Sequence, residues 1–327
     1  MNTLVIGESL IDVIYDPETG EPGHFPGGSP LNVAVGLSRL GRETALLTRI
    51  GDDDAGNTIV NHLTASSVSL MLGSIDDEPT SMAYAHVDGE GHASYRFDIR
   101  SSFPAPPHND KDCADLLRDA PRHVHIGSIG AHLMPGAETV RQWISFFKEN
   151  ATISYDPNVR IGLAGTAQEY RTQITEYLGI VDIFKSSIED IELCFGAMDS
   201  EQLGKFVDMC FTKGVSLVVL TEGSRGMNLF TRDHCIHVNA LKVSVADTVG
   251  AGDATMAALI DGLARLSLIG REDVPRLRQI SDSMLTSLGT YAATAAAITV
   301  TRSGANPPTR REISAHSESY AVEGSIF

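Results

Sequence analysis

The sequence predicts an α/β fold: a mainly parallel sheet covered by helices on both faces, with a small β-layer inserted in the N-terminal part. Two observations carry this. Short β-branched or apolar runs alternate with helix-patterned segments through most of the chain, the rhythm of strands joined by helical crossovers. Two stretches, 12–26 and about 73–100, break that rhythm with period-two patterning and Gly and Asp turns, as a separate β-layer would.

The elements follow in order. Leu4–Ile6 reads as a first buried strand and Ser29–Leu40 as a helix, with Ser29 as N-cap, Pro30 at the first helical position and Gly41 at C′. Thr44–Ile50 is the next strand and Ala55–Ala65 the next helix. Ser81–Val87, a turn at Asp88-Gly89 and Ala93–Ile99 read as a β-hairpin. Strand–helix pairs then follow: His123–Ile126 with Ala137–Lys148, Thr152–Tyr155 with Ala167–Tyr177, and Ile183–Lys185 with Glu189–Phe195. Glu201–Lys213 leads into Ser216–Thr221, a strongly β-branched strand. His234–Val245 reads as mostly strand, Gly252–Ala264 as helix, and Arg271–Ala297 as largely helical with Pro275 near its start. The polar tail from Ser314 is expected to be ordered only by docking.

Composition narrows the function. Hydrophobic residues make up 42% of the 327, enough for a core that needs no disulfides. The formal charge of −17 opposes non-specific attraction to nucleic acid or an anionic membrane, so neither is an expected partner. Cys113, Cys194, Cys210 and Cys235 form no C-x-x-C pair or Cys/His cluster and read as reduced thiols. Met1–Gly7 has no basic leader character, and the longest apolar candidate, Tyr291–Val300, is far short of a membrane span. The expected location is the cytoplasm.

The strongest chemical constellation is Asp247-Thr248-Val249-Gly250-Ala251-Gly252-Asp253. A strand expected to end near Val245 is followed by a Gly-rich turn and a small-residue helix. Backbone N–H groups of Gly250, Ala251 and Gly252 would point out of the helix N-terminus and bind an anion. Asp253, kept ionised by the helix dipole, could accept a hydroxyl proton while the turn stabilises a transferring phosphoryl group. The bland alternative is a Gly-rich turn before an acidic first helical turn. A second run, Gly27-Gly28-Ser29-Pro30-Leu31-Asn32, lets backbone approach a ligand and places the Asn32 amide in the first turn of a helix. Neither a Gly-x4-Gly-Lys-Ser/Thr loop nor a Gly-x-Ser-x-Gly elbow occurs, and Thr255 spoils a Rossmann fingerprint.

Together these runs resemble the two signatures of the ribokinase-like carbohydrate kinases, the PfkB family. Gly7-Glu8-Ser9-Leu10-Ile11-Asp12, Thr221-Glu222-Gly223-Ser224-Arg225-Gly226 and Thr301-Arg302-Ser303-Gly304-Ala305 resemble further family elements, in the family's order. The resemblance covers Leu4 to about Pro308 and implies a doubly wound, ribokinase-like fold: one kinase domain over 1–327 with lid insertions at about 12–26 and 73–100. It implies Asp253 as base, with Gly250, Ala251 and Gly252 as anion hole. Asp12, Gly27, Gly28 and Asn32 would hold a small sugar, and Ser187, Thr221, Gly223 and Gly226 would line the ATP site. Mg²⁺ would travel with ATP, and K⁺ would sit near Asp247, Val249, Thr299, Arg302 and Gly304. A homodimer through the lid is a further implication.

Where many members carry Asn-x-x-Glu, this chain has Ser187 and Asp190, with Glu189 one residue early, so the metal-organising carboxylate stays open. Asp156-Pro157-Asn158-Val159-Arg160 resembles an element of the fructokinase-like branch and adds Arg160 as a sugar contact. The expected reaction is phosphorylation of a sugar hydroxymethyl group, D-fructose foremost. 2-Keto-3-deoxygluconate, ribose or a nucleoside are alternative acceptors, and a non-catalytic sugar-binding protein is the reading from another class. Tyr95 and Arg96 are possible extra lid contacts. His123 with His125, Asp52-Asp53-Asp54, and Trp143 with Phe146 and Phe147 read as structural.

Overall fold

The structure is a computed structural model that describes residues 1–15, 19–87 and 93–319. Its backbone is a nine-stranded sheet, in the spatial order Cys235–Val238, Met227–Phe230, Leu217–Thr221, Ile183–Ser187, Thr152–Asp156, His123–Gly127, Thr3–Ile6, Thr44–Leu47 and Ser69–Leu70. All pairings are parallel except the two made by Met227–Phe230. Strand residues alternate between two cores, so the sheet is buried on both faces. Val5, Ile183, Leu217 and Val219 face helices Ser29–Arg39, Ala251–Arg265 and Asp282–Val300. Leu4, Ile6, Val124, Ile126 and Leu220 face helices Gly136–Phe147, Ala167–Tyr177 and Ser200–Lys213. This is the doubly wound α/β class with a small separate sheet, as the sequence predicts.

The separate sheet has four strands, in the order Pro22–Gly27, Leu10–Tyr15, Met82–Val87 and Ala93–Asp98. The expected turn at Asp88-Gly89 lies outside the described residues, as do the side chain of Tyr95 and residues 320–327. Segment 73–81 does not join this sheet: Ile75–Asp76 pairs with Ile50–Gly51 instead. Its anchors are polar. Arg49, 2% exposed, holds Asp76 and the Pro79 carbonyl, while Asp53 accepts from the Thr80 N–H and hydroxyl. Asp53 also caps helix Asp54–Ala65, the role expected for the acidic run.

Several sequence expectations need correction. The strand expected over Thr44–Ile50 ends at Leu47, because Ile50 pairs elsewhere. The strand expected to reach Val245 stops at Val238. Val245 is exposed, and Ala246 and Asp247 donate to the Val300 carbonyl, so this stretch is tied to the end of a helix and not to the sheet. The helix expected over 271–297 is broken into Arg271–Asp273, Val274–Leu277 and Asp282–Val300. The tail, by contrast, is ordered by docking as expected: residues from Ser314 to Ser319 are helical, within Arg310–Ser319, where Ile313 is buried, Arg310 donates to the Leu40 carbonyl and Glu312 pairs with Arg302. No described helix is long and apolar enough to cross a membrane.

Candidate active site

The carboxyl ends of the parallel strands lie side by side, so the turns that follow them share one edge of the sheet. Register pairs Ile6 with Ile126, Gly127 with Asp156, and Ser187 with Thr221. Gly7-Glu8, Ser128, Asp156-Pro157-Asn158 and Ser187 thereby leave the sheet at one edge.

Two helices bring their N-termini to that edge and meet at Asp253. Ser29 Oγ donates to Asp253 Oδ1 at 2.6 Å, and Asn32 Nδ2 donates to Oδ2 at 2.8 Å. Ser29 is therefore not the N-cap. Gly28 takes that position at φ 108°, and Ser29, one residue inside the helix, spends its hydroxyl on the carboxylate. Gly28 needs to be glycine for a second reason: a Cβ there would lie 2.6 Å from the Glu8 carbonyl oxygen. The Asp253 helix runs Ala251–Arg265, with Gly250 as N-cap at φ 77°. N–H groups of Gly250 and Gly252 have no acceptor among the described residues, whereas that of Ala251 turns back to the Thr248 carbonyl at 3.3 Å. Two of the three expected anion-hole donors are thus free.

Burial works against the helix dipole at Asp253. Burial raises its pKa, and a nearby Asp156 adds to the rise; Ser29, Asn32 and Lys185 oppose it. Lys185 Nζ lies 2.6 Å from Asp156 Oδ2 and 3.0 Å from the point where a Cβ on Gly252 would sit. Burial disfavours its charge, but Asp156, Asp253 and Asp190 together leave its pKa above the ordinary value.

Asp12 and Gly27 are adjacent: a Cβ on Gly27 would overlap Asp12 Oδ2. Burial raises the Asp12 carboxyl to about 6, against the pull of Arg160. Glu8 is 3% exposed and accepts from the Gly130 N–H at 2.8 Å. Burial pushes its pKa up to about 7, with Ser128, Gly130 and Arg160 opposing. Arg160 is itself exposed, its guanidinium 3.0 Å from the Val159 carbonyl, and it faces Glu8, Asp12 and Asp190. Ser128 and Asn158 take positive φ, 54° and 41°. Such strain concentrates where backbone must present groups in fixed directions.

On the other flank, Ser187 caps helix Ile188–Phe195, its Oγ accepting from the Asp190 N–H at 3.0 Å. Asp190 is half-buried, raised by burial and coupled to Lys185 and Arg160, while Glu189 is exposed. Asp190 is thus the carboxylate that faces the cluster. Thr221 stands beside Ser187, and its strand turns through Gly223 (φ 55°) and Gly226 (φ 105°). Asp247 accepts from Val249 N–H at 3.0 Å and Gly304 N–H at 2.8 Å, which hold its pKa low, and no cation among the described residues pairs with it. A carboxylate tied to two turns and lacking a counter-ion fits a monovalent cation. Thr299 does not present its side chain: it is fully buried, its hydroxyl donates to the Ala295 carbonyl, and its own carbonyl takes the Arg302 N–H. Among the described residues no three His, Cys, Asp or Glu side chains group as a metal cluster. Both ring nitrogens of His123 bond to the Thr152 and Ser154 hydroxyls, and His125 bonds to Ser154 through Nδ1.

Sequence reasoning passed over Ser29 as a partner of Asp253, and gave no role to Lys185, Glu8 or Asp156. Lys185 had a signal: a lysine in the apolar run Ile183-Phe184 must be paired if that strand is buried. The sequence profile of the family described as pfkB family carbohydrate kinase matches residues 2–311. A fructokinase of Rhizobium leguminosarum bv. trifolii is 32% identical over 278 residues, 84% of this chain and 83% of its own. A sugar kinase of Pyrococcus horikoshii, solved in complex with ATP, superposes with TM-score 0.72 at 27% identity, covering 95% and 96% of the two chains. The fructokinase of Xylella fastidiosa with bound ATP shares the fold at TM-score 0.82 and 21% identity, covering 98% and 99%. With a family match that spans nearly its whole length, the chain belongs to the pfkB family of carbohydrate kinases.

Proposed function

We propose that the protein transfers the γ-phosphoryl group of ATP to a hydroxymethyl group of a free sugar, D-fructose foremost, with Asp253 as general base. The observation that carries this is the placement of Asp253, a buried carboxylate oriented by Ser29 and Asn32 beside the free N–H groups of Gly250 and Gly252. The base accepts the hydroxyl proton as oxygen attacks phosphorus, and the helix N-terminus stabilises charge on the transferring group. Asp12, Gly27, Gly28, Asn32 and Arg160 hold the sugar. Ser187, Thr221, Gly223 and Gly226 line the nucleotide site, with Asp190 turned toward the phosphates.

Mg²⁺ arriving with the nucleotide would supply counter-charge to its phosphates. K⁺ would be held by Asp247 with backbone of Val249, Thr299, Arg302 and Gly304. The four-stranded sheet serves as the lid that excludes water from the sugar. Fructose as acceptor is supported by the Rhizobium fructokinase relative and by the Asp156–Arg160 run.

The test is ADP release with Mg-ATP and K⁺ across fructose, 2-keto-3-deoxygluconate, ribose and adenosine, repeated with Asp253→Asn. We expect the highest kcat/KM with fructose, and a loss of turnover of about 10²-fold or more in the variant. An alternative acceptor better by about tenfold removes fructose. ADP release with no acceptor, or turnover within a few-fold of wild type in Asp253→Asn, removes the kinase mechanism.

A further inference from the structure

The floor of the site holds an unusual set of charges. Among the described residues only two basic side chains other than histidine are buried, Arg49 and Lys185. Arg49 belongs to the Asp76 anchor under the small sheet. Lys185 lies at the candidate active site, 5% exposed, against an Asp156 side chain that is 4% exposed. Asp253, 8% exposed, is the second buried carboxylate facing Lys185, whereas the buried Glu8 faces Arg160 instead. Its oxygens bond to Ser29 and Asn32, and no cation among the described residues makes ion-pair contact with it. Two buried negative charges therefore share one buried positive charge. The half-buried Asp190 and the exposed Arg160 face the cluster from outside, and His125 lies near Lys185 with its pKa lowered, chiefly by burial.

We propose that Lys185 is a positioning residue for phosphoryl transfer: fixed by Asp156 beside Gly252, it supplies the buried positive charge that lets Asp253 keep its negative one. This rests on Asp253 being the base. The argument is one of charge balance. Two carboxylates close together in a dry site cannot both ionise without a counter-charge, and one takes a proton. A proton on Asp253 blocks acceptance of the sugar's proton. Ser29 and Asn32 orient the carboxylate but are neutral donors, and the helix N-terminus offers partial charge only. Lys185 also sits against the glycine where the transferred group must pass, so the same ammonium favours the anionic transition state.

The charges predict opposite displacements, which a merely structural role does not. The readout is the acid limb of kcat/KM for the sugar against pH at saturating Mg-ATP. Lys185→Met should move that limb to higher pH by about one unit or more, since Asp253 then faces Asp156 without a counter-charge. Asp156→Asn should move it to lower pH, since Lys185 then serves Asp253 alone. The double variant should return near wild type. Should Lys185→Met fail to fold, Asp156→Asn and the double variant, which keeps the net buried charge of wild type, still decide. Displacement of both single variants in one direction, or reduced activity with an unmoved limb, overturns the proposal. Asp253→Asn measured alongside separates the two failures: if it retains turnover the base assignment fails, and if it is inactive while the limbs stay fixed only the role of Lys185 fails.

Discussion

Replacing Glu8 by glutamine should make the protein more stable at alkaline pH than at acid pH, relative to wild type. Glu8 is 3% exposed, and burial raises its carboxyl from 4.5 to about 7. The direction of linkage follows from that rise. A carboxyl that binds its proton more tightly in the folded state costs nothing below the unfolded pKa. The cost grows as pH climbs from 4.5, and it is complete above about 7. Integrating over that window gives about 1 kcal/mol at pH 5 and about 3 kcal/mol at pH 8. Glutamine has no charge to bury, and its amide oxygen can still accept from the Gly130 N–H. The stability difference between Glu8→Gln and wild type should therefore shift in favour of the variant by about 2.5 kcal/mol from pH 5 to pH 8. Urea unfolding followed by circular dichroism at both pH values measures it. A difference constant within about 0.5 kcal/mol, the usual scatter of independent effects, would refute the reasoning, because it would mean that Glu8 does not titrate in this window.

Three further outcomes follow from the site. Asp12, held up to about 6 by burial, should lose sugar affinity as pH falls through that value. Calorimetry without nucleotide should show a loss of about tenfold between pH 7 and 5; a slope that persists in Asp12→Asn would assign it to another group. Gly28→Ala, at φ 108° and with its Cβ 2.6 Å from the Glu8 carbonyl, should cost about 2–3 kcal/mol in urea unfolding. An undiminished midpoint would show that the turn relaxes freely. Asp247→Asn should raise the K⁺ concentration for half-maximal activation by about tenfold or more, and an unchanged activation curve would place the cation elsewhere.

Much of the architecture was legible because its signals are local. Buried strands such as Leu4–Ile6 and Leu217–Thr221 are continuous apolar runs between turn residues. The glycines of 27–28 and 250–252 mark places where backbone must turn left-handed or approach a neighbour. What escaped was decided by partners far along the chain. Ser29 reads as an N-cap until Asp253, 224 residues later, takes its hydroxyl. Val245 has strand propensity, but its neighbours bond to the Val300 carbonyl. Lys185 acquires its meaning only from Asp156 on the adjacent strand. Docking of the tail was foreseen, but its helical form through Ser319 was not, since it depends on Ile313 and Arg310 meeting the body.

Helices Ser29–Arg39 and Ala251–Arg265 cross closely, and a Cβ on Gly36 would come within 2.8 Å of the Ala257 Cβ. Spacing between their N-termini, and hence the reach of Ser29 and Asn32 to Asp253, is thus fixed two turns deeper by a residue that touches no ligand. The consequence is one of heredity. The N-terminal and C-terminal signatures are two halves of a single joint, and neither can be transplanted alone. A chimera that joins the first third of this chain to the last third of a relative would inherit both signatures letter for letter. It would still misplace its base unless the small-residue contact came across with both of its sides.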